Sequence, residues 1–252
     1  MTNRIMISKD VFARWYAALE ERHLHTLTFQ EVRRALQALS ALYVEGRNRA
    51  SGRKPLDSVG KRAAFSLFYA PLHLLQISHV VEQLGIREFP IRSLIDLGCG
   101  TGVGGAAWSI ELDKTPRVTG VDANQWVLDE AKWNYQVLGV AGETRKADLL
   151  DYPLPPSGGT LLAFTANELD EPGREKLLRR LVQRGAVLVV EPIAHRVAPW
   201  WERWAEAFES KGGRADEWRF SPDLPQRLRL LDKAAGLNHR ELKCRSLWLP
   251  TA

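Results

Sequence analysis

The sequence has few cysteines and no long apolar run, and each absence excludes a kind of protein. Among its 252 residues there are only two cysteines, Cys99 and Cys244. Two cysteines are too few for a disulfide framework or for a four-cysteine zinc or iron–sulfur site. No uninterrupted apolar run approaches the roughly 20 residues that span a bilayer. The N-terminus lacks the apolar core of a secretory signal. We therefore expect a cytoplasmic protein that binds no membrane, and the six histidines show no metal-ligand spacing.

The net charge of +5 is unevenly distributed along the chain. Residues 1–90 carry +5, residues 91–171 carry −6 and residues 172–252 carry +6. An acidic centre between basic flanks is typical of solvated helix faces, but it also suits an anionic partner such as RNA. The composition, 45% apolar and 26% charged, is that of an ordinary globular protein.

The hydrophobic period changes near residue 92. Before that point, apolar residues recur at helical spacing over 8–22, 28–47 and 61–86. After it, helical stretches alternate with short apolar segments typical of strands, at 92–98, 116–122, 143–151, 159–167, 185–192, 215–220 and 240–249. This alternation predicts an α/β fold with a Rossmann-like, doubly wound, mostly parallel seven-stranded sheet. We therefore divide the chain into an N-terminal helical extension, residues 1–90, and an α/β domain, residues 91–252.

One glycine-rich segment carries most of the functional argument. In IDLGCGTGVGG, which begins at Ile95, Asp96 ends the first strand, and Gly98, Gly100 and Gly102 follow at alternate positions. Glycine permits a sharp turn and lets a ligand lie against the main chain. The next helix begins there, and we expect its free N–H groups to face that ligand. In a doubly wound sheet, the crevice at the carboxyl ends of the strands is where ligands bind.

The same loop is compatible with two cofactors. Gly100, Gly102 and Gly105 also form the G-x-G-x-x-G fingerprint of dinucleotide sites, a weak signal by itself. Asp96 separates the two possibilities, because a carboxylate ahead of the loop repels a pyrophosphate and suits the ammonium and sulfonium of S-adenosylmethionine. The strand–DxGxGxG–helix pattern resembles motif I of class I methyltransferases. That resemblance implies a methyltransferase that uses S-adenosylmethionine, and a nicotinamide enzyme is the alternative.

The end of the second strand adds a candidate ribose contact. Asp122 lies there with Ala123 beside it, and a carboxylate at this point accepts hydrogen bonds from ribose hydroxyls in either kind of cofactor site. Alternatively, Asp122 caps the next helix, although Asn124 is also able to cap it. Trp126, on that helix, either packs in the core or covers the adenine.

The resemblance to class I methyltransferases also implies an adenine contact after the third strand. Asp148 would reach the adenine amino group, and Leu149 would offer a main-chain N–H. Asp151 competes with Asp148 for this role.

The segment after the fourth strand is expected to line the site near the methyl group. We take Thr165 as a cofactor contact and Asn167, Glu168 and His195 as catalytic candidates, with Asp170 and Glu191 as further available bases. The Asn/Asp-Pro-Pro-Tyr tetrapeptide of amino-methylating enzymes is absent here. Neither cysteine is placed as the nucleophile that cytosine C5 methylation needs. Methyl transfer to nitrogen or oxygen needs little beyond alignment of the acceptor.

A longer resemblance points to one group of methyltransferases. The stretches LQALSALYVEGRNR, KRAAFSLFYAPLHLLQISHVVEQL and IDLGCGTG, with NEL at 167–169 and EP at 191–192, look like the methyltransferase-like family associated with assembly of the mitochondrial small ribosomal subunit, and its bacterial relatives. This resemblance implies that Tyr69 and His73 line the cofactor site; the alternative is that Tyr69 packs in the core. The family's C-terminal cysteine cluster is missing, so we expect no iron–sulfur cluster.

Two acceptors and one non-catalytic role fit these observations. The basic flanks and the family resemblance suggest rRNA of the small ribosomal subunit or another RNA. The missing cysteines and the tryptophans Trp200, Trp201 and Trp204 suggest a small aromatic molecule, if these side chains form an aromatic wall rather than pack the last helix. The alternative function is a non-catalytic S-adenosylmethionine-binding factor in RNA or ribosome assembly. The sequence leaves the oligomeric state open.

Overall fold

A computed structural model of the chain describes residues 7–45, 56–154, 156–193, 199–236 and 240–250. Its strands are β1 (Ser93–Leu97), β2 (Arg117–Asp122), β3 (Gly142–Lys146), β4 (Gly159–Ala163), β5 (Val187–Glu191), β6 (Arg214–Phe220) and β7 (Leu242–Leu249). Its helices are α1 (Lys9–Leu24), α2 (Phe29–Glu45), α3 (Val59–Ala64), α4 (Ala70–Leu84), α5 (Val103–Glu111), α6 (Gln125–Leu138), α7 (Glu171–Leu181), α8 (Trp201–Glu209) and α9 (Gln226–Ala234).

The seven strands form one sheet in the order β3-β2-β1-β4-β5-β7-β6. The pairs β3–β2, β2–β1, β1–β4 and β4–β5 are parallel, and β7 runs antiparallel to β5. The predicted fold class, a doubly wound and mostly parallel seven-stranded sheet, is therefore confirmed. Because β1 to β5 are parallel, their carboxyl ends meet at one edge, where a ligand site is expected.

The centre of the sheet is buried and mostly apolar, as strands covered on both faces require. All five residues of β5 are buried, and so are the last four of β1. Trp201 and Trp204 belong to the same core and are 6% and 0% exposed. The packing interpretation therefore holds for these two tryptophans, and only the half-buried Trp200 is left for an aromatic wall.

The described residues divide into two compact units. One contains the sheet and comprises residue 7, residues 74–219 and residues 243–250; the other is helical and comprises residues 8–73 and 220–242. The predicted boundary at residue 90 does not coincide with this division, because α9 belongs to the helical unit and most of α4 to the sheet unit. A contact between residues far apart in sequence leaves no local sequence signal. Local periodicity, on which the predicted extension of residues 1–90 rests, therefore does not predict this division.

A proline explains an irregular turn in the helical unit. Residues Phe65–Tyr69 form a π-helical turn between α3 and α4, and the Ala70 N–H donates to the Phe65 carbonyl. Pro71 follows directly, and proline disrupts the α-helical pattern because it lacks an N–H and its ring crowds the carbonyl four residues earlier. That carbonyl belongs to Leu67, and the Tyr16 hydroxyl donates to it at 3.4 Å. The predicted helix 61–86 therefore exists as Val59–Leu84 with an interruption.

By length and hydropathy alone, the helical stretch Val59–Leu84 could cross a membrane. However, 78% of its apolar 18-residue window is buried in the structure. Burial of this kind is what a core helix shows, so the stretch gives only weak support for a membrane span.

Candidate functional site

The glycine loop between β1 and α5 adopts a backbone conformation that favours glycine. Gly98, Gly100 and Gly102 have φ angles of 66°, 51° and 75°. A Cβ atom at Gly98 would lie 2.3 Å from Cγ2 of Thr165, far inside contact distance. The Thr165 hydroxyl lies 3.1 Å from the Gly98 carbonyl, to which it donates, and 3.0 Å from that of Ala163. The segment after β4 therefore holds the loop at its first glycine.

Three N–H groups of the G-x-G-x-x-G fingerprint already have partners inside the protein. The Gly100 N–H donates to Oδ2 of Asp122 at 3.1 Å, and the Gly102 N–H to the Cys99 carbonyl at 2.8 Å. The Gly105 N–H donates to Oδ2 of Asp96 at 2.8 Å. A pyrophosphate needs such donors free, so this loop is unsuited to a dinucleotide.

Asp96 lies beneath the loop rather than at its surface. The residue is 2% exposed, and its carboxylate caps α5, whose N-cap residue Gly102 has no side chain for that task. Burial raises the pKa of Asp96 to about 7; the Gly105 N–H opposes this rise, and the nearby charge of Asp122 adds to it. The expectation that the first N–H groups of α5 face a ligand is therefore wrong for Gly105. Direct contact of Asp96 with a ligand stays a prediction.

Asp122 binds the loop and leaves helix capping to its neighbour. Besides the Gly100 N–H, its carboxylate accepts the Asn124 N–H at 2.8 Å. The N-cap of α6 is Asn124, whose side chain accepts the Trp126 N–H at 3.0 Å. Capping as the role of Asp122 is therefore wrong. The carboxylate is half-buried, burial raises its pKa, and its contact with the ribose, like that of the exposed Ala123, stays a prediction.

The turn after β3 lies next to Asp122. The Ala147 N–H donates to the Asp122 carbonyl at 3.1 Å, which brings Asp148 to the same edge of the sheet. Asp148 is exposed, and its carboxylate accepts the N–H of Leu150 at 2.8 Å. The competing candidate Asp151 forms an ion pair with Lys176. The adenine contacts of Asp148 and of the half-buried Leu149 stay predictions.

A buried carboxylate joins the ends of β4 and β5. Glu191 is 0% exposed; one of its oxygens accepts the Ala166 N–H at 2.8 Å, and the other accepts the Asn167 side-chain amide. Burial raises the pKa of Glu191 to about 8. The Ala166 N–H and the charge of Arg245 oppose the rise, and Glu168 adds to it. Glu191, considered from the sequence as a possible base, here fixes the segment that carries two catalytic candidates.

Arg245 on the neighbouring strand β7 is a positively charged partner for Glu191. It faces Glu191 in the β5–β7 register and is 1% exposed. Its guanidinium lies 4.1 Å from the ring centre of Trp201, within the range of a cation–π contact. Nothing in the local sequence around Arg245 indicates this role, because the pairing depends on where β7 enters the sheet.

Helix α6 packs against the glycine loop through two side chains that the sequence did not single out. The Asn134 side chain donates to the Thr101 carbonyl at 2.9 Å. The Tyr135 ring fills space left by three glycines, since a Cβ at Gly102, Gly120 or Gly142 would lie within 3.0 Å of it. The glycines within β2 and β3 are the sequence signal for this packing, because a glycine in a strand often marks the close approach of another group.

Phe164 is a second residue that the sequence did not single out. It has a φ of 56° directly after β4, a strained conformation for a bulky residue. Such strain often concentrates at functional sites, and here it lies one residue before Thr165.

For three sequence-predicted residues, contact with the cofactor site stays a prediction. Tyr69 and His73 belong to the helical unit. Burial raises the pKa of Tyr69 to about 12, and a hydrogen bond with Ser40 opposes this shift, as the packed-core alternative expects. His195 lies outside the described residues. Within the described ranges, no three His, Cys, Asp or Glu side chains are grouped as metal ligands.

Comparison with known proteins agrees with this geometry. Residues 94–184 match the family model of a methyltransferase domain. That segment runs from β1 to the residues just after α7 and includes the glycine loop, Asp122, Asp148 and Asn167. S-adenosylmethionine, the cofactor predicted from the sequence, is the cofactor that fits this domain. No curated protein matches the sequence significantly.

Solved structures extend the likeness in fold to nearly the whole chain. An O-methyltransferase family protein from Burkholderia thailandensis matches 93% of this chain and 76% of its own, with a TM-score of 0.61 and 15% identity. The mitomycin 7-O-methyltransferase MmcR matches 93% of this chain and 72% of its own, with a TM-score of 0.54 and 14% identity. At these identities the likeness shows the fold alone.

The Gly98–Thr165 contact predicts the effect of one added methyl group. Gly98→Ala should weaken S-adenosylhomocysteine binding by about tenfold or more, because the new Cβ collides with Thr165 and moves the loop. Gly85→Ala is the matched control, since Gly85 also has a positive φ of 68° but nothing lies within 4 Å of its Cβ position. Calorimetry measures both. Unchanged affinity in Gly98→Ala would show that the loop does not depend on this contact.

The raised pKa of Asp96 predicts a pH dependence of cofactor binding. Below about pH 7 the carboxyl is increasingly protonated and neutral, and the ammonium group of the ligand favours its ionised form. The affinity for S-adenosylhomocysteine should therefore rise between about pH 5.5 and about pH 7.5, by at most tenfold per pH unit. Asp96→Asn keeps the cap on α5 and removes this slope, and it also controls for titration of the ligand. An identical slope in the variant would exclude Asp96 as the cause.

Variants of Asp122 and Asn124 should differ in their effects on cofactor affinity and on thermal stability. Asp122→Asn should reduce S-adenosylhomocysteine affinity by about tenfold, because the amide replaces one acceptor oxygen with a donor. It should also lower Tm, since either the Gly100 or the Asn124 N–H loses its acceptor. Asn124→Ala should cost about 1 kcal/mol of stability through loss of the cap and leave affinity within about twofold. Calorimetry and thermal unfolding measure the two effects, and the reverse pattern would assign the ligand contact to Asn124.

Proposed function

We propose that this protein transfers a methyl group from S-adenosylmethionine to a nitrogen or oxygen atom of an acceptor. The observation that carries the proposal is the loop itself, whose Gly100 and Gly105 N–H groups are bound to carboxylates. This arrangement leaves a phosphate few donors and surrounds the loop with negative charge, which favours a ligand with an ammonium and a sulfonium.

The bound cofactor supplies a methyl group on a positively charged sulfur, which becomes a neutral thioether when the acceptor's lone pair takes the methyl carbon. Asp96, Gly98, Gly100 and Asp122 would hold it, with Asp148 and Leu149 toward the adenine. At the acceptor side, Asn167 orients the acceptor, and the exposed carboxylate of Glu168 receives the proton that the acceptor loses. His195 is the second candidate for that proton.

The state of the two cysteines supports nitrogen or oxygen rather than a covalent route to carbon. Cys99 is buried in the glycine loop, and burial raises its pKa well above the usual value. Cys244 is 0% exposed, and burial raises its pKa to about 12. Only the thiolate is an effective nucleophile, so neither side chain suits cytosine C5 methylation.

Two classes of methyl acceptor are compatible with the sequence. The fold shared with two O-methyltransferases over nine-tenths of the chain supports the small aromatic molecule, methylated on a hydroxyl group, as one of them is named for mitomycin. The basic flanks of the sequence support RNA, including rRNA of the small ribosomal subunit. The non-catalytic alternative is an assembly factor that binds the cofactor without transfer.

The proposal is tested with S-adenosylmethionine labelled with tritium in its methyl group. The protein is incubated with total cellular RNA and, in parallel, with a panel of phenols and anilines. We expect label in one of the two pools, and a loss of about a hundredfold in kcat for Glu168→Gln, since general base catalysis contributes rates of that order. The affinity of this variant for S-adenosylhomocysteine should not change. Label in the RNA pool would identify RNA as the acceptor, and the retention of that RNA should fall steeply with salt.

Two other outcomes of these binding and transfer assays would contradict the proposal. Binding of S-adenosylhomocysteine without label in either pool favours the non-catalytic factor. Binding of NADH in place of S-adenosylhomocysteine overturns the cofactor assignment and the proposal with it.

A further inference from the structure

The side-chain amide of Asn167 is satisfied at one end and unsatisfied at the other. Its Nδ2 donates to Oε2 of Glu191. Its Oδ1 atom is buried and accepts no hydrogen bond from the part of the chain that the structure describes. A buried acceptor without a donor costs free energy, so native proteins rarely keep one without a reason. Asn167 follows β4 two residues after Thr165, which contacts the glycine loop.

Glu191 decides which end of the amide is left unsatisfied. Oε1 accepts the Ala166 N–H at 2.8 Å and Oε2 accepts the Asn167 amide, and the Thr165 main chain also hydrogen-bonds to this carboxylate. A carboxylate can only accept hydrogen bonds. When Glu191 is ionised, the amide nitrogen of Asn167 must therefore face it, since the reversed amide would place two acceptor oxygens against each other.

Charged groups on the neighbouring elements control the ionisation of Glu191. Arg245 on β7 favours the charged form, and Glu168 after β4 opposes it. Glu202 on α8 and Glu217 on β6 act in turn on Arg245. Burial raises the pKa of Glu191 to about 8. Below that pH, a protonated Glu191 is able to donate to Oδ1, and the amide loses its fixed direction.

We propose that Oδ1 of Asn167 accepts a hydrogen bond from an N–H or O–H group of the methyl acceptor, and that Glu191 is the positioning residue that fixes this direction. This inference rests on the proposed function and narrows it. The acceptor carries a hydrogen atom at or beside the methylated atom, as amines, amides and hydroxyl compounds do. Tertiary amines and ethers lack that donor and are excluded.

The test uses paired probes in which methyl groups replace the hydrogen atoms of this donor. Phenol and anisole, and aniline and N,N-dimethylaniline, are titrated into isotope-labelled protein saturated with S-adenosylhomocysteine, and the side-chain signals of Asn167 are followed by NMR. The donor-bearing member of each pair should bind about tenfold tighter, as one hydrogen bond to a buried acceptor allows. Asn167→Leu should remove this preference, and in this variant binding is followed through the backbone amide signals of residues 166 to 168.

The positioning role of Glu191 has its own variant and control. Glu191→Gln presents an amide that is able to donate to Oδ1, so the preference for the donor-bearing probe should fall to about twofold or less. S-adenosylhomocysteine affinity should stay unchanged. In the wild-type protein the preference should increase as pH rises through about 8, and in Glu191→Gln it should not depend on pH. Glu209→Gln, the same change at an exposed glutamate of α8, should behave as the wild type.

The results separate this inference from the proposed function. If S-adenosylhomocysteine binds, but the methylated probes bind as well as the donor-bearing ones or no probe perturbs Asn167, the inference is overturned and the methyltransferase proposal stands. If the preference for donor-bearing probes survives in Glu191→Gln without pH dependence, Glu191 is not the positioning residue. If S-adenosylhomocysteine does not bind, both proposals fail.

Discussion

The hydrogen bonds from the glycine loop to two carboxylates are the interaction on which the site depends. Asp96 holds the start of α5 through Gly105, and Asp122 holds the middle of the loop through Gly100. These bonds fix the loop across the ends of two strands. They also use donors that a phosphate would need and leave negative charge in their place. The shape of the loop and its preference for a cationic ligand therefore have one cause.

Burying these carboxylates has an electrostatic cost that a ligand could offset. Asp96 loses nearly all its hydration, and its pKa rises for that reason and through repulsion from Asp122. A cation near the loop stabilises the ionised carboxylate and so opposes this rise in pKa, and binding and ionisation therefore support each other. Capping a helix and attracting a ligand are therefore compatible roles for Asp96. For Asp122 the capping role falls to Asn124 instead.

Local patterns predicted most of the sheet and the loop, whereas distant contacts went unpredicted. The change of period near residue 92 and the glycine spacing are properties of adjacent residues, and both led to the observed elements. The Asn134–Thr101 bond joins residues 33 positions apart, and α9 joins a unit that begins at residue 8. Such pairings depend on how elements assemble, and no short window of sequence records them. The strained φ of Phe164 likewise has no residue-level signal.

The position of β7 shows how topology reaches the chemistry of the site. Because β7 is antiparallel to β5, its early residues lie beside the carboxyl end of β5, with Arg245 opposite Glu191 and Leu249 opposite Val187. A parallel strand in that position would bring its late residues there instead. The arginine compensates a carboxylate that would otherwise be buried alone, which is strongly unfavourable. Glu191 is thereby able to hold Asn167, so the one reversed strand pairing beside β5 supports the orientation of a side chain at the acceptor edge.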